Sequence, residues 1–146
     1  MATRYRLSRW RRLANRVIRT LLRVGLGPRH TYLLTVRGRR SGRPYSTPIT
    51  LVEEGRQRWL VAPYGEVNWV WNTRAAGRVT LSRGRHAETT AIVEVGPDEA
   101  APVLKRYVAE VPITRPYFGV RPDASLDAFR AEVPQHPVFR IIGETG

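Results

Sequence analysis

Short runs rich in β-branched and other apolar residues recur along this chain, and such runs are typical of β-strands. Turn-forming glycines and charged residues separate several of the runs, for example at residues 53–56 and 83–85. The pattern predicts six short strands joined mostly by hairpins, which favours an antiparallel barrel over βαβ units. The predicted strands are residues 31–37, 45–54, 57–63, 79–82, 86–95 and 138–142.

Helical spacing of apolar residues marks four further segments. In the longest, residues 5–25, apolar side chains recur at alternating steps of three and four positions. Gly77 is placed to end the second helix, and Pro97 lies just before the third, at a favourable first helical position. Residues 111–123 are predicted to form a proline-rich loop. The shorter predicted helices are residues 67–76, 98–110 and 124–132, so we expect an α+β fold that is mainly β.

The length and composition are those of one globular domain, with 146 residues of which 42% are hydrophobic and 25% charged. No apolar run approaches the roughly 20 residues that span a bilayer, and no secretory signal is recognised. The absence of cysteine excludes disulfides and thiolate chemistry, and it favours a reducing, cytoplasmic location. The histidines, His30, His86 and His136, show no metal-ligand spacing, so no metal site is predicted.

The net charge of +13 is concentrated at the N-terminus, since residues 1–30 contain nine arginines and no acidic residue. Three interpretations of this basic amphipathic helix stay open. It packs on the domain with its arginines in water, or residues 5–25 lie on an anionic membrane surface. The third, binding to nucleic acid, is the least favoured because the rest of the chain lacks a recognition motif.

Residues 37–43 hold four arginines and two glycines between two predicted strands. Glycine lets backbone N–H groups approach a ligand closely, and arginine presents a planar fork to phosphate or carboxylate. The segment therefore predicts an anion-binding hairpin. The alternative is a solvated, charged turn that protects a sheet edge.

A second candidate site lies on the predicted helix 67–76, where Trp69 and Asn72 are three positions apart and share one face. An indole beside an amide suits a flat heteroaromatic ligand, because the ring packs on it and the amide reads its polar edge. In the alternative interpretation, Trp69 belongs to the core and Asn72 caps the helix.

Taken together, these segments resemble the deazaflavin-dependent nitroreductases, also described as coenzyme F-420-dependent quinone reductases. The matching motifs lie within residues 31–82, and the length and element order agree over the whole chain. The resemblance implies a six-stranded split β-barrel over residues 29–146, related to FMN-binding pyridoxamine oxidases. A basic amphipathic helix over residues 1–28 precedes it, within one globular domain overall.

The resemblance also implies the positions that bind the coenzyme. The family motif Gly-Arg-Arg-Ser-Gly holds the phosphate tail, a Thr-Pro pair lies beside the ring system, and a tryptophan and an asparagine belong to the ring pocket. Here Pro63-Tyr64-Gly65 replace a segment that often carries a lysine for the tail, which leaves that role to arginines. The implied cofactor-binding residues are Arg39, Arg40, Ser41, Gly42, Arg43, Ser46, Thr47, Pro48, Ala62, Pro63, Tyr64, Trp69 and Asn72.

The implied activity is hydride transfer from reduced coenzyme F-420 to a quinone or similar apolar acceptor, with a nitroreductase-like side activity. Tyr117 and Phe118 stand in the loop comparable to the family's substrate segment, and no catalytic side chain is assigned because the coenzyme carries the hydride. The alternatives are an FMN-linked oxidoreductase of the same superfamily and a non-catalytic deazaflavin- or lipid-binding protein. A homodimer and a peripheral location on the inner face of the cell membrane are further expectations.

Overall fold

Six antiparallel strands close into a barrel, which confirms the fold predicted from the short strand-like runs and their hairpins. The computed structural model describes residues 9–23, 25 and 30–142. Around the barrel the strand order is β1-β2-β3-β6-β5-β4, and β4 pairs with β1 to complete the circle. The strands are β1 Thr31–Arg37, β2 Pro44–Glu54, β3 Gln57–Val61, β4 Arg78–Arg83, β5 His86–Glu94 and β6 Val138–Ile141.

Four α-helices accompany the barrel in the described part of the chain, together with the 3-10 helices Pro112–Tyr117 and Val133–Gln135. Gly77 ends the second α-helix in the left-handed conformation, with φ +70°, and Pro97 begins the third, as predicted. The α-helices are α1 Arg9–Arg23, α2 Asn68–Ala76, α3 Pro97–Glu110 and α4 Leu126–Glu132.

The bounds of several elements differ from those predicted by one or two residues; β3, for example, ends at Val61 and not at residue 63. The described part of α1 ends at Arg23, while residues 5–8 and 24 of the predicted helix lie outside the described residues. The predicted loop 111–123 contains the 3-10 helix Pro112–Tyr117. The Arg115 side chain holds this turn against the end of α3, because its guanidinium donates to the carbonyl oxygens of Val108 and Ala109 at 2.9 and 3.1 Å.

Alternation along β3 divides the apolar residues between two cores. Leu60 packs inside the barrel with residues such as Leu34 and Phe139. Its neighbours Trp59 and Val61 belong to a second core, which α3 and α4 complete outside the barrel. The barrel therefore has one side covered by helices.

The turn between β1 and β2 lies at one end of the barrel. The two strands pair in continuous register from Thr31 opposite Thr50 to Arg37 opposite Pro44. This register leaves residues 38–43 as the connecting turn. The start of the arginine-rich segment is thus fixed by a rigid strand pair, and α2 contacts β1 beside it.

Candidate functional site

A cavity of about 1140 Å³ opens beside the β1–β2 turn. Its volume lies just above the roughly 300–1,000 Å³ that is typical of small-molecule sites. The walls come from the turn, from β2, from the start of α2, from the end of α3 and the following 3-10 helix, and from one face of α1. The cavity brings together segments that are far apart in the sequence.

The turn is closed by two backbone hydrogen bonds, from Gly38 N to Arg43 O at 2.7 Å and from Gly42 N to Gly38 O at 3.0 Å. Gly42 has φ +72°, which favours glycine. A Cβ atom at Gly38 would lie 2.5 Å from the Tyr45 ring, so this position requires glycine for close approach. Ser41 Oγ accepts from Arg43 N at 3.2 Å and lies 3.1 Å from the Tyr45 hydroxyl.

Asn72 joins this turn to α2. Its side-chain oxygen accepts the Arg39 backbone N–H at 3.1 Å and the Arg39 guanidinium at 2.8 Å. Asn72 is only 5% exposed, so these bonds lie in a largely desolvated position where they are costly to lose. The amide therefore fixes both the backbone and the side chain of Arg39.

Trp69 lies on the same face of α2 and is half-buried at the cavity wall. Its ring packs against Phe139 of the barrel core, with centroids 6.1 Å apart. Trp71, by contrast, is exposed, donates its indole N–H to the Glu66 carbonyl at 3.0 Å, and lies under the Arg74 guanidinium. Only the first of these two tryptophans is placed to touch a ligand in the cavity.

β2 contributes a polar wall, with Ser46, Thr47 and Pro48 all half-buried and lining the cavity. Ser46 Oγ and Thr35 Oγ1 share a hydrogen bond across the strand pair at 2.8 Å. This bond holds the Ser46 side chain between β1 and β2. The strand therefore presents a rigid edge of small polar groups.

The end of α3 and the 3-10 helix add Tyr107 and Thr114, which are both almost fully buried. Burial raises the pKa of Tyr107, so its phenol stays protonated at neutral pH. Tyr64, also at the cavity wall, meets Tyr117 edge to face with ring centroids 4.8 Å apart. This part of the wall is mostly apolar, with a few hydroxyl groups.

The charges around the cavity have one sign. Among the described residues that line it, three are arginines, Arg19, Arg39 and Arg40, and none is acidic. The nearby carboxylate of Glu66 pairs with Arg74, which Glu94 also contacts at 2.7 Å. The positive charge of the cavity is therefore not cancelled by its own wall, which suits an anionic ligand.

Most of the predicted cofactor-binding residues converge on this cavity: Arg39, Arg40, Ser41, Ser46, Thr47, Pro48, Pro63, Tyr64, Trp69 and Asn72. Gly42, Arg43 and Ala62 are not among the described lining residues. Gly42 and Arg43 shape the turn, while Ala62 is fully buried and donates its N–H to Pro137 O at 2.9 Å.

The predicted substrate residues occupy different surroundings. Tyr117 reaches the cavity wall through its contact with Tyr64, whereas Phe118 is buried and stacks on His136 at 3.9 Å. Neither is among the described residues that line the cavity. Their role in substrate binding stays a prediction.

Sequence reasoning missed Tyr45, Tyr107 and the cavity face of α1. Tyr45 gave a usable signal, since it begins the predicted strand 45–54 directly after the arginine-rich segment. Tyr107 gave none, because only the fold brings the end of α3 to Tyr64. No group of three or more potential metal ligands occurs among the described residues.

The comparisons with known proteins agree with this fold. Residues 3–119 match the family model described as F420H(2)-dependent quinone reductase. No protein among the curated sequences matches the chain.

Solved structures share the fold at low identity. One is described as an F420-H2 dependent reductase, with 21% identity and a TM-score of 0.54, over 77% of this chain and 94% of that one. Another, described as a domain-swapped dimer, has 21% identity and a TM-score of 0.59, over 90% and 96% of the two chains.

A protein of unknown function from Agrobacterium tumefaciens has 20% identity and a TM-score of 0.59 over 90% of this chain. This chain spans about half of that protein, 54% of its length. These likenesses support the barrel fold, and the family match extends over well more than half of the sequence. The chain therefore belongs to this family of quinone reductases, which use reduced coenzyme F-420, and it is an oxidoreductase.

Proposed function

We propose that the chain binds reduced coenzyme F-420 in the cavity and transfers hydride from it to a quinone or a similar apolar acceptor, with nitroaromatic compounds as side substrates. The observation that carries this proposal is the bond between Asn72 and Arg39. It joins a cationic turn to the helix that presents Trp69, so one rigid unit offers both an anion site and a ring site.

The turn would hold the anionic tail of the coenzyme, which carries a phosphodiester and a chain of glutamates. Arg40 is exposed, lines the cavity, and has no hydrogen bond or ion pair with a described residue. Its guanidinium is therefore available for a phosphate or carboxylate oxygen. Arg39 and Ser41 complete this side of the site.

The ring system would lie against Trp69, with Thr47 and Pro48 on the β2 wall. These groups are anchored in the barrel, which limits the movement of a bound ring and of an acceptor placed beside it. When bound, the reduced deazaflavin supplies the hydride. The protein would position the coenzyme and the acceptor against a partly apolar wall. It would also provide hydroxyl groups such as that of Tyr107, which stays protonated.

FMN is the alternative cofactor, since its single phosphate fits the same turn. Three cavity arginines without an acidic neighbour favour the more highly charged coenzyme. Titration of the purified protein with each cofactor tests this choice. We expect coenzyme F-420 to bind at least about tenfold more tightly than FMN, a difference of about 1.4 kcal/mol. Equal binding, or tighter binding of FMN, would contradict the proposal.

An apolar acceptor also motivates a proposal about location, namely that α1 associates reversibly with an anionic membrane surface. The outward side of α1 exposes Leu13, Val17 and Leu21, which are four positions apart in turn, beside exposed arginines such as Arg12 and Arg16. No helix in the described ranges is both long and apolar enough to cross a membrane.

A further inference from the structure

The inward face of α1 is part of the wall of the cavity. Positions 15, 18, 19 and 22 share one face of a helix, because they are separated by three and four residues. Leu22 is fully buried, while Asn15, Ile18 and Arg19 line the cavity. The helix is thus oriented with these side chains toward the barrel.

The end of α1 is fixed to the barrel by contacts of its last turn. The Leu22 carbonyl accepts backbone N–H groups from Gly84, in the β4–β5 turn, at 2.6 Å and from Gly25 at 3.1 Å. Together with the burial of its side chain, these bonds hold the position of Leu22. Arg19, one turn earlier, therefore has a defined place beside the cavity.

Arg19 has no partner of opposite charge in this position. It is exposed, and its side chain makes no hydrogen bond or ion pair with any described residue. The described lining residues offer no carboxylate, and their other two cations belong to the β1–β2 turn. An arginine at the wall of a positively charged cavity is disfavoured by its neighbours until an anion enters.

We propose that Arg19, supported by Asn15, is a third cationic anchor for the anionic tail of the coenzyme, so that α1 forms part of the cofactor site. This inference rests on the proposed function. It assigns α1 a role in binding as well as in covering the barrel. It also implies that a tail-bearing coenzyme holds α1 in place more firmly than a chromophore without phosphate and glutamates does.

The test compares Arg19→Gln with the matched control Arg23→Gln, which removes the same charge from an exposed arginine outside the cavity wall. Each variant is titrated with coenzyme F-420 and with the deazaflavin chromophore that lacks the phosphate and glutamate tail. We expect Arg19→Gln alone to weaken coenzyme binding about three- to tenfold, as loss of a solvent-accessible charged contact implies. Binding of the chromophore without the tail should not change.

A second measurement follows cleavage by trypsin after the arginines of α1. Coenzyme F-420 should slow this cleavage in the unmodified protein and in Arg23→Gln, and it should do so less in Arg19→Gln. If Arg19→Gln and Arg23→Gln bind the coenzyme equally, or if Arg19→Gln weakens both ligands equally, the inference is wrong while the proposed function stands. If the unmodified protein binds no coenzyme F-420, the proposed function itself fails.

Discussion

The side-chain oxygen of Asn72 accepts two hydrogen bonds from Arg39, one from its backbone and one from its guanidinium. The two residues are 33 positions apart, on α2 and on the β1–β2 turn. Because the amide is buried, the turn and the helix are expected to move together. This relationship makes Asn72 a positioning residue for Arg39 in the proposed anion site, as well as a neighbour of Trp69.

Replacing Asn72 with Ala should therefore lower both stability and coenzyme affinity. The change leaves two donors of Arg39 without their acceptor, which costs about 1–3 kcal/mol and lowers the Tm by several degrees. A double-mutant cycle with Arg39→Ala measures the coupling through the guanidinium bond, because the backbone N–H of Arg39 stays in that variant. We expect a coupling free energy of about 0.5–3 kcal/mol, and additive effects would show that the guanidinium bond contributes no coupling.

The arginines of the turn should differ in their contribution to binding. Replacing Arg39 and Arg40 together with Ala should weaken coenzyme F-420 binding by roughly tenfold or more, since each charge-assisted bond contributes about 1.5–3 kcal/mol. The salt dependence of binding should also flatten. Since Arg39 also bonds Asn72, we expect Arg40→Ala alone to keep the Tm while losing affinity.

Arg37→Ala is the matched control for Arg40→Ala, because Arg37 is exposed and lies outside the described cavity wall. Its replacement removes the same charge from the same segment. If Arg37→Ala and Arg40→Ala reduce affinity equally, the turn acts only through its net charge, and the specific anion site is refuted.

Trp69 and Trp71 offer a comparison on one helix. Trp69→Ala should reduce turnover more than Trp71→Ala, because only Trp69 lines the cavity. Trp69→Phe should recover part of the turnover by restoring an aromatic surface. Steady-state kinetics and thermal melts separate the effects. If Trp69→Ala unfolds the protein, and if Trp69→Phe has the stability and the turnover of the unmodified protein, Trp69 is a core residue only.

His136 should make the free energy of unfolding depend on pH. Burial lowers its pKa, although Glu132 at 3.4 Å opposes the shift, and its Nδ1 atom has no hydrogen-bond partner among the described residues. As the pH falls, His136 in the unfolded chain therefore takes up a proton before His136 in the folded protein does, at a pKa of about 6.5. The free energy of unfolding should be highest above this pH and should decrease as the pH falls below it.

Denaturant melts between about pH 7.5 and 5 measure how far the free energy of unfolding decreases below the histidine pKa of the unfolded chain, about 6.5. His136→Asn should flatten the stability profile in this window, since it removes the titrating ring. His86→Asn is the control, because His86 is exposed. An unchanged profile in His136→Asn would assign the pH dependence to other groups.

Association with membranes should depend on the outward apolar side chains of α1. The unmodified protein should float with anionic vesicles at low salt, and Leu13→Gln combined with Val17→Gln should abolish flotation. Val93→Gln, which removes an exposed apolar residue from β5, should float normally. These substitutions are a better test than removal of residues 1–26, because that deletion would also remove the buried Leu22. A protein that never floats would exclude the membrane proposal.

The barrel could be predicted because its signals are local. The β-rich runs of β1 and β3 and turn residues such as Gly55 specify strands and hairpins without reference to distant residues. The sequence also marked the turn at residues 38–43 as a candidate anion site, since its glycines and arginines are adjacent in the sequence, and that assignment stays a prediction. The order of these local patterns along the chain then carried the resemblance to the family.

The remaining features depend on contacts between distant segments. The spacing of Trp69 and Asn72 gave them a shared face, but nothing in the sequence showed that Asn72 bonds Arg39. The periodicity of α1 gave an apolar stripe, but packing decides that Leu22 is buried while Val17 stays exposed. A loop was predicted where the structure has a 3-10 helix. The Arg115 side chain supports that helix by donating to carbonyl groups that are available only at the end of the folded α3.

The central claim is that the chain transfers hydride from reduced coenzyme F-420, bound in the cavity, to a quinone. A single-turnover experiment without oxygen tests it most directly: protein carrying one equivalent of reduced coenzyme is mixed with a quinone, and the absorbance of oxidised deazaflavin is followed. We predict oxidation matched by one equivalent of hydroquinone, slowed by Trp69→Ala under conditions that keep the coenzyme bound. Tight binding of the coenzyme with no oxidation above the rate without protein would contradict the account.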